Sequence, residues 1–529
     1  MLVKTYGSAL WGVNARTITI EVNVSSGLHY FIVGLPDSSV KESLRRIESA
    51  IKTNSLYMPR TKLVINLAPA DIRKSGSAFD LPIALGVLGA SEQLEHPGRL
   101  QEYIFMGELS LDGTVRPIRG AIAIAQQAAL EGFKGVVLPL ENAGEAALVE
   151  ALPVFGVRHL SDVVGFLRDP ASLQPQPPGG PLQSPGQDGI PGATRVPGPI
   201  RIPDAPGAPD FADVKGQEHI KRALEIAAAG SHNILLIGSP GSGKSMLARL
   251  LPTILPPMTT AEAIETTKIH SLVGRLPTHV PLITERPFRA PHHTVNPNAL
   301  AGGGRIPQPG EISLAHNGVL FLDELPEFGK NVLEVLRQPM EEHSVSISRT
   351  FGTLDFPARF MLVAAMNPCP CGYHTHPEKV CTCPSGLIRN YLNRVSGPLL
   401  DRIDLHMEVP PLSLGDLTGR PGAEDSAAVR QRVTAARQIQ TERFAAHPGI
   451  YANAHMDAGL VQKYCELPAE GQRLLGIALE QLHLSARAYA RICKVGRTIA
   501  DLAGSPSIQT GHIAEALQYR SLDRADWAT

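Results

Sequence analysis

The sequence predicts an α/β protein in four parts: an α+β domain over 1–168, a linker over 169–209, a parallel-sheet core over 210–410 and a helical lid over 411–529. Strand-like apolar runs alternate with helix-like runs on both sides of the linker. The linker itself is rich in Pro, Gly, Gln and Ser and lacks apolar periodicity. These observations favour separate domains joined by an irregular segment.

Composition limits the class of protein. A chain of 529 residues is too long for one hydrophobic core. The net charge of −1 supplies no global basic field, so any nucleic-acid contact must come from a local patch or from patches summed over an oligomer. Met1 to Leu10 lack a signal-peptide core, and no run of about 18 apolar residues exists. We therefore expect a cytoplasmic protein without a membrane span.

The N-terminal domain is predicted to mix strands with helices. Five runs have strand-like patterns, at Arg16–Val24, Tyr30–Val33, Lys62–Leu67, Ile104–Leu111 and Gly135–Leu138. Two further runs predict helices, at Ser39–Thr53 and at Gly120–Gly132, where a glycine ends the pattern.

Beyond the linker, strands and helices alternate again, which favours a parallel sheet. A helix is predicted at Glu218–Ala229, and the pattern is helical from about Ala427 onward. Three short apolar runs predict buried strands, at Asn233–Ile237, Val319–Leu322 and Phe360–Met366.

A phosphate-binding loop of the form G-x-x-x-x-G-K-S lies between the first of these strands and a helix. Its glycines let backbone N–H groups turn toward phosphate oxygens, and the helix N-terminus adds to the anion site. Lys244 is expected to reach the β- and γ-phosphates, and Ser245 to hold Mg²⁺. The predicted nucleotide-binding residues of this loop are Gly238, Ser239, Pro240, Gly241, Ser242, Gly243, Lys244 and Ser245.

Polar residues end the other two buried strands. Asp323 suits the outer sphere of nucleotide-bound Mg²⁺, and Glu324 suits the base that polarises an attacking water. Asn367 follows the third strand, where it can orient that water, although an Asn-Pro pair is by itself typical of a turn. Arg402 and Arg487 lie further along the chain, and each alone is typical of a surface ion pair.

Taken together and in this order, these motifs resemble AAA+ ATPases. The resemblance implies that Asn367 is sensor 1, that Arg402 is an arginine finger acting on a neighbouring subunit, and that Arg487 is sensor 2. The box that begins at Val214 is similar to the segment that borders adenine in these proteins, with Lys215-Gly216-Gln217 following it.

Further strings narrow the resemblance to the magnesium-chelatase-like ComM/YifB family, over essentially the whole chain except the linker. They are Gly34–Asp37, Asn66–Asp71, Arg286–Thr294, Pro309–Gly318 and Asn367–Gly372. This family implies a homo-hexameric ring, ATP and Mg²⁺ as cofactors, and a DNA helicase that promotes branch migration during natural transformation.

Related helix-2-insert AAA+ proteins place a hairpin in the pore of the ring. Ser344–Arg349 and Thr353–Phe356 flank a turn containing Gly352 and are similar to that hairpin. We expect Arg349 to contact DNA phosphates. An ordinary exposed hairpin arginine is the alternative.

The N-terminal domain resembles the Lon-protease catalytic fold, through the strings Lys74–Asp80 and Gly107–Gly120. Lon proteases use a Ser–Lys dyad, because serine needs a base to become nucleophilic. The serine position falls on Ala78 and the lysine position near Ile122, so a non-proteolytic scaffold is expected. Ser75 and Ser77 lie close by and keep an offset alignment open.

Four of the six cysteines cluster as two C-x-C pairs, Cys369 with Cys371 and Cys381 with Cys383. Four thiolates satisfy tetrahedral Zn²⁺, although the usual spacing is C-x-x-C. His374 and His376 are possible substitute ligands, and four reduced, unligated cysteines are the alternative.

Three rival functions remain beside the DNA motor. A magnesium-chelatase-type protein-remodelling ATPase is disfavoured by the Lon-like domain, and an ATP-dependent protease by Ala78 and Ile122. A transcription activator is disfavoured because its Gly-Ala-Phe-Thr-Gly-Ala loop is absent.

Overall fold

A computed structural model describes residues 1–520, except 75, 178–208, 277–279, 305–306, 350–351, 375, 412–423, 448 and 482–484. Contacts divide the chain into two compact units. The first combines Met1–Arg195 with Thr260–Ile283, and the second combines Val196–Thr259 with Thr284–Thr529. Most of the predicted linker lies outside the described residues, and the boundaries predicted from sequence stay predictions.

The first unit contains a seven-stranded sheet in the order β3-β4-β2-β1-β5-β8-β9. Its longest strands, β1 and β2, pair antiparallel along their whole length, and β5, β8 and β9 run parallel. The strands of this unit, with the small hairpin β6–β7, are β1 Leu2–Trp11, β2 Asn14–Ser25, β3 Tyr30–Val33, β4 Lys62–Ala68, β5 Tyr103–Phe105, β6 Glu108–Leu109, β7 Val115–Arg116, β8 Gly135–Pro139 and β9 Val154–Val157.

Helices cover this sheet. The most buried is Asp80–Ala90, in which every residue is buried, so it shows no helical periodicity in the sequence. Its one acid, Asp80, is paired with Arg46 at 2.7 Å. The α-helices of the unit are Ser38–Thr53, Asp80–Ala90, Ala121–Leu130, Leu140–Ala146, Leu160–Arg168 and Thr260–Leu272.

The predicted single strand Ile104–Leu111 is wrong. The structure has two short strands there, β5 and β6, separated at Met106 and Gly107. The chain leaves the sheet because Gly107 donates its N–H to the carbonyl of Ala78 and accepts one from Leu81, at 2.9 and 3.0 Å. The other four strands predicted for this domain are confirmed, with ends shifted by at most two residues.

The second unit is built on a parallel five-stranded sheet in the order β11-β14-β17-β10-β18. Two small antiparallel pairs, β12–β13 and β15–β16, lie beside it. The strands are β10 Ile234–Gly238, β11 Phe288–Arg289, β12 Gly302–Gly303, β13 Gln308–Pro309, β14 Val319–Leu322, β15 Ser344–Arg349, β16 Gly352–Pro357, β17 Met361–Met366 and β18 Leu405–Val409.

Helices surround this sheet and then continue to the end of the described chain. Those before residue 412 are Glu218–Gly230, Lys244–Ile254, Pro297–Ala301, Glu311–Leu314, Lys330–Glu334, Arg337–Glu342, Ser385–Leu392 and Gly397–Leu400. The C-terminal helices are Ser426–Arg443, Ala458–Tyr464, Ala469–Gln481, Ala486–Leu502 and Thr510–Gln518. A buried pair, Arg443 with Asp501 at 2.5 Å, ties two of these helices together.

The helix Thr260–Leu272 interrupts the second unit in sequence but folds into the first. Its Ser271 hydroxyl accepts the N–H of Gly120 at 3.0 Å and donates to a carboxylate oxygen of Glu145 at 2.5 Å. Glu145 also accepts the N–H of Ile122 at 3.1 Å. Burial raises the pKa of Glu145. A buried polar network therefore joins this helix to Ala121–Leu130.

Glu145→Ala is expected to destabilise the first unit. It leaves the buried Ser271 hydroxyl and Ile122 N–H without their acceptor, at a cost of about 1–3 kcal/mol. Glu145→Gln keeps an acceptor and resembles the protonated acid, so it should melt close to the wild type. Because the folded-state pKa of Glu145 is raised, the wild type should lose more stability than either variant as pH rises above 4.5. Thermal unfolding of the three proteins against pH measures this, and equal melting of the Ala and Gln variants would contradict it.

Candidate nucleotide-binding site

The predicted phosphate-binding loop joins β10 to the helix Lys244–Ile254. Gly241 and Gly243 have φ values of 81° and 91°, in the left-handed region that side chains disfavour. Turns of this kind allow successive N–H groups to face a bound anion, and the N-terminus of the following helix also favours one. Of the eight predicted residues, Gly238 ends β10, Ser239 to Gly243 form the turn, and Lys244 and Ser245 begin the helix.

Lys244 is buried within the loop. Its ammonium donates to the carbonyl oxygens of Gly238 and Ser239, both at 2.8 Å. Burial lowers its pKa, and the charge of Asp323 opposes that shift. The cation is thus held beside the N–H groups of the loop, where it can meet phosphate oxygens.

The acids predicted at the end of β14 lie next to the loop. Ser245 donates its hydroxyl proton to Asp323 Oδ2 at 2.6 Å, so the two predicted Mg²⁺ ligands are in contact. A hydroxyl and a carboxylate are oxygen donors of the kind that Mg²⁺ prefers. Glu324 follows with φ of 54°, and its side chain is 56% exposed.

His293 is a residue that the sequence analysis missed. Its Nδ1 lies 3.2 Å from Glu324 Oε2, and its ring packs at 4.1 Å on that of His292. The sequence signals His293 only through a His-His pair in a Pro-rich string. The proximity of His293 to Glu324 depends on the pairing of β11 with β14, which local sequence patterns do not reveal. This contact fixes the direction of the Glu324 carboxylate.

Asn367 follows β17, the strand between β14 and β10. Because β17 lies between β14 and β10, the chain leaves the sheet at Asn367 between the ends of the strands that precede the acids and the loop. Its role as sensor 1 stays a prediction. Val214 is buried, and the neighbouring Gln217 donates to the carbonyls of Ser242 and Pro410 at 3.1 and 3.2 Å. Gln217, the last residue of the box beginning at Val214, thus ties that box to the loop.

Arg402 is 4% exposed and has its partners within the chain. It donates to the Pro398 carbonyl at 2.6 Å and pairs with Glu341 at 2.5 Å. Arg487, which is 59% exposed, reaches the same Glu341 oxygen at 3.8 Å. The structure thus brings both predicted arginines to one carboxylate, whose pKa they lower. Their roles as finger and sensor stay predictions.

The predicted hairpin is present as β15 and β16, paired from Ser344–Pro357 to Arg349–Gly352. Arg349 is exposed at its end and donates to the Ser348 carbonyl at 3.0 Å. The residues between Arg349 and Gly352 lie outside the described part of the chain. The DNA role of Arg349 stays a prediction.

The four predicted cysteines come together. Their Sγ atoms all lie within 4.8 Å of one another, and none is in a disulfide. Burial opposes ionisation of Cys371, but backbone N–H bonds from Tyr373 and Thr382 and neighbouring thiols lower its pKa to about 6. A thiolate is the form that binds metal.

The N-terminal unit shows no Ser–Lys dyad among its described residues. Ile122 is fully buried, and Ala78 carries no nucleophile. Ser77 bonds to the carboxylate of Glu108, and the buried Lys74 bonds to the carbonyl of Pro69. Ser75 lies outside the described residues. Of the helices that the structure describes, none combines the length and apolar character needed to span a bilayer.

The parallel sheet, the phosphate-binding loop and the acids at its edge define the class of this protein: a P-loop protein of the AAA+ type. Comparison with family models agrees with this class. The model "Magnesium chelatase, subunit ChlI" matches residues 210–417, "Subunit ChlI of Mg-chelatase" matches 20–142, and "Magnesium chelatase, subunit ChlI C-terminal" matches 423–520.

Several relatives match the chain along its full length. It is 46% identical to the competence protein ComM of Haemophilus influenzae, over 99% of this chain and 98% of that protein. It is 44% identical to YifB of Escherichia coli, over 98% and 96%. The magnesium-chelatase 38 kDa subunit of Rhodobacter capsulatus is 27% identical over 30% of this chain and 50% of its own length. The chain therefore belongs to the ComM/YifB family of magnesium-chelatase-like AAA+ proteins.

Lys244→Ala is expected to weaken binding of Mg²⁺–ATP at least tenfold, because it removes the cation held inside the loop. Titration with a fluorescent ATP analogue measures this. Lys463→Ala, on an exposed position of the helix Ala458–Tyr464, is the matched control and should bind as the wild type does. Undiminished binding by the Lys244 variant would place the nucleotide elsewhere.

Proposed function

We propose that this protein is an ATP-driven DNA motor, a hexameric helicase that promotes branch migration during recombination and natural transformation. One observation carries the ATPase part: Lys244, the Ser245–Asp323 pair and Glu324 meet at one edge of a parallel sheet. The full-length likeness to a competence protein supports the DNA part. A cytoplasmic location, where ATP and DNA are both available, belongs to the same proposal.

The proposed cofactors are ATP and Mg²⁺ at the loop, with Zn²⁺ at the four-cysteine cluster. The loop N–H groups and Lys244 bind phosphates, and Ser245 and Asp323 hold the Mg²⁺, which neutralises phosphate charge when bound. Glu324 accepts a proton from the attacking water, and Asn367 orients that water. Since Glu324 is held by His293, it must turn from the histidine to reach this water.

The proposal assigns Arg402 to the nucleotide of a neighbouring subunit. In the chain by itself, Glu341 neutralises Arg402. Glu341 is 44% exposed, so a phosphate group of a neighbour can compete for the guanidinium when the ring closes. Arg487 shares Glu341 and is the second arginine available at this face.

The DNA contact is assigned to the hairpin β15–β16. Arg349 is exposed there, and its bonds are to the neutral oxygens of Ser348 and Asn298. No carboxylate has to be displaced from those bonds before it meets a phosphate. A net charge of −1 leaves only such local cations to bind DNA, repeated by the ring.

A magnesium-chelatase-type ATPase that remodels a protein partner is the alternative. The match of three chelatase family models favours it. The chelatase subunits themselves align over only 30% and 38% of this chain, whereas the competence protein aligns over 99%. The DNA motor is therefore the better-supported function.

DNA is expected to stimulate the ATPase activity, with single-stranded or four-way-junction DNA as the ligand. Arg349→Ala should remove most of this stimulation while leaving the DNA-free rate unchanged, because the bonds of Arg349 are to Ser348 and Asn298, which do not belong to the loop Gly238–Ser245. Arg473→Ala, an exposed arginine on the helix Ala469–Gln481, is the control. A wild type that no DNA stimulates, and that moves no four-way junction, would favour the protein-remodelling alternative.

Mixing variants tests the assignment of Arg402. Arg402→Ala and Lys244→Ala should each lose ATPase activity, and mixing them should restore part of it. In a mixed ring, an Arg402→Ala subunit supplies an intact Lys244 and a neighbouring Lys244→Ala subunit supplies an intact Arg402, so the site between them is complete. Mixing Lys244→Ala with Glu324→Gln should restore nothing, since both groups belong to the same subunit's site. No recovery in the first mixture would mean that Arg402 acts within its own chain.

A further inference from the structure

The segment between β17 and the helix Ser385–Leu392 contains the four-cysteine cluster. Three of its Sγ–Sγ distances are 3.3, 3.6 and 3.7 Å, for Cys369–Cys371, Cys371–Cys381 and Cys369–Cys381. A disulfide requires about 2.05 Å. Four thiolates around Zn²⁺ at about 2.3 Å lie about 3.8 Å apart. The cluster therefore has the dimensions of a closed tetrahedral metal site.

The protein surrounding the cluster also suits a metal. Backbone N–H groups of Gly372 and His374 bond to Cys369, and that of Cys383 bonds to Cys381 Sγ at 3.5 Å. Such bonds orient thiolate ligands. The nearby His376 accepts N–H groups of Glu378 and Lys379 with its Nδ1. The four sulfurs thus form the ligand set, and an all-sulfur tetrahedral set selects Zn²⁺ or iron.

The same loop touches the phosphate-binding loop. A Cβ added to Gly372 would lie 2.4 Å from Cδ and 2.7 Å from Cγ of Pro240, so the backbone of Gly372 packs closely against the proline ring. Gly372 has φ of 83°, which glycine adopts without strain. Pro240 is at the centre of the loop Gly238–Ser245.

The loop is connected to the predicted sensor as well. Asn367 precedes Cys369 by two residues, and Cys369 is fully buried. On the far side of the cluster, Tyr391 takes part in a hydrogen bond with the backbone of Asn367. Between Met366 and Ser385 the described residues form no helix or strand. The cysteine cluster is thus the structure available to hold this segment against the nucleotide site.

We propose that Cys369, Cys371, Cys381 and Cys383 bind one Zn²⁺, and that the closed loop supports the phosphate-binding loop through the contact of Gly372 with Pro240. Zinc occupancy then sets the affinity for nucleotide. Without the metal, the four cysteines, which are up to fourteen positions apart, lose their common ligand. Nucleotide binding then has to order this segment as well, and the entropy lost in that ordering lowers the affinity for nucleotide. Gly372 is a positioning residue, and this inference rests on the proposed nucleotide site.

Metal content and nucleotide affinity, measured on the full chain, test the proposal. Protein purified without added metal should hold one zinc per chain by elemental analysis. Cys381→Ser and Cys383→Ser should lose it and bind a fluorescent ATP analogue about tenfold more weakly, by analogy with other metal-site losses. Cys465→Ala, a buried cysteine of the C-terminal helices, should keep both properties. Chelation of the wild type should reproduce the loss, and added Zn²⁺ should reverse it.

Gly372→Ala separates the contact from the metal. It keeps all four thiols, so zinc should stay at one per chain, while the new methyl group presses on Pro240 and lowers nucleotide affinity. Gly386→Ala, which meets no atom within 4 Å, should change neither. Iron or no metal in the wild type would overturn the zinc site. Zinc with unchanged affinity in the chelated and Gly372 proteins would overturn the coupling. A zinc-bound wild type that binds no ATP would instead refute the proposed function.

Discussion

The parallel pairing of β17 with both β14 and β10 is the constraint on which the nucleotide site depends. Parallel strands in register end at the same edge of a sheet, so the phosphate-binding loop, Asp323 and Asn367 emerge side by side, although 78 residues separate Ser245 from Asp323 and more than a hundred separate the loop from Asn367. The registers Ile237–Met366 and Leu322–Ala364 bring the acids level with the loop. A slip of one residue would turn every side chain of β17 to the opposite face.

This pairing explains which parts of the site could be predicted. The loop, the acids and Asn367 are read from local patterns, because strand length, burial and a terminal polar residue are local properties. His293 and Glu341 could not be found this way, since each matters through a partner from a distant part of the chain. The helix Asp80–Ala90 was missed for another reason: burial on all sides removes the periodicity that identifies a helix. The break at Gly107 likewise depends on Ala78 and Leu81.

The charged side chains at the nucleotide site and at the predicted arginine finger differ in their partners. Lys244 is buried with carbonyl partners, so its positive charge is available to an anion. Arg402 is equally buried but is neutralised by a carboxylate, so its charge has to be released before it acts elsewhere. Glu324 is exposed and restrained only by a histidine. One chain thus contains a group that is ready for phosphate and two that require rearrangement, which fits a site completed by assembly.

Because Thr260–Ile283 belongs to the first unit, the two units are connected by the backbone at more than one place. The backbone passes between the units near residue 195, at 259–260 and again at 283–284. A protease that cuts within 178–208 would therefore separate residues 1–177 from the rest of the chain, while Thr260–Ile283, which belongs to the first unit, would stay joined to the second unit by peptide bonds. A fragment ending at residue 177 would also lack Ser271, leaving Glu145 and the N–H of Gly120 without a partner they have in the intact protein. The N-terminal unit is thus not encoded by one continuous stretch of sequence, and its fold is completed only after the phosphate-binding loop has been synthesised.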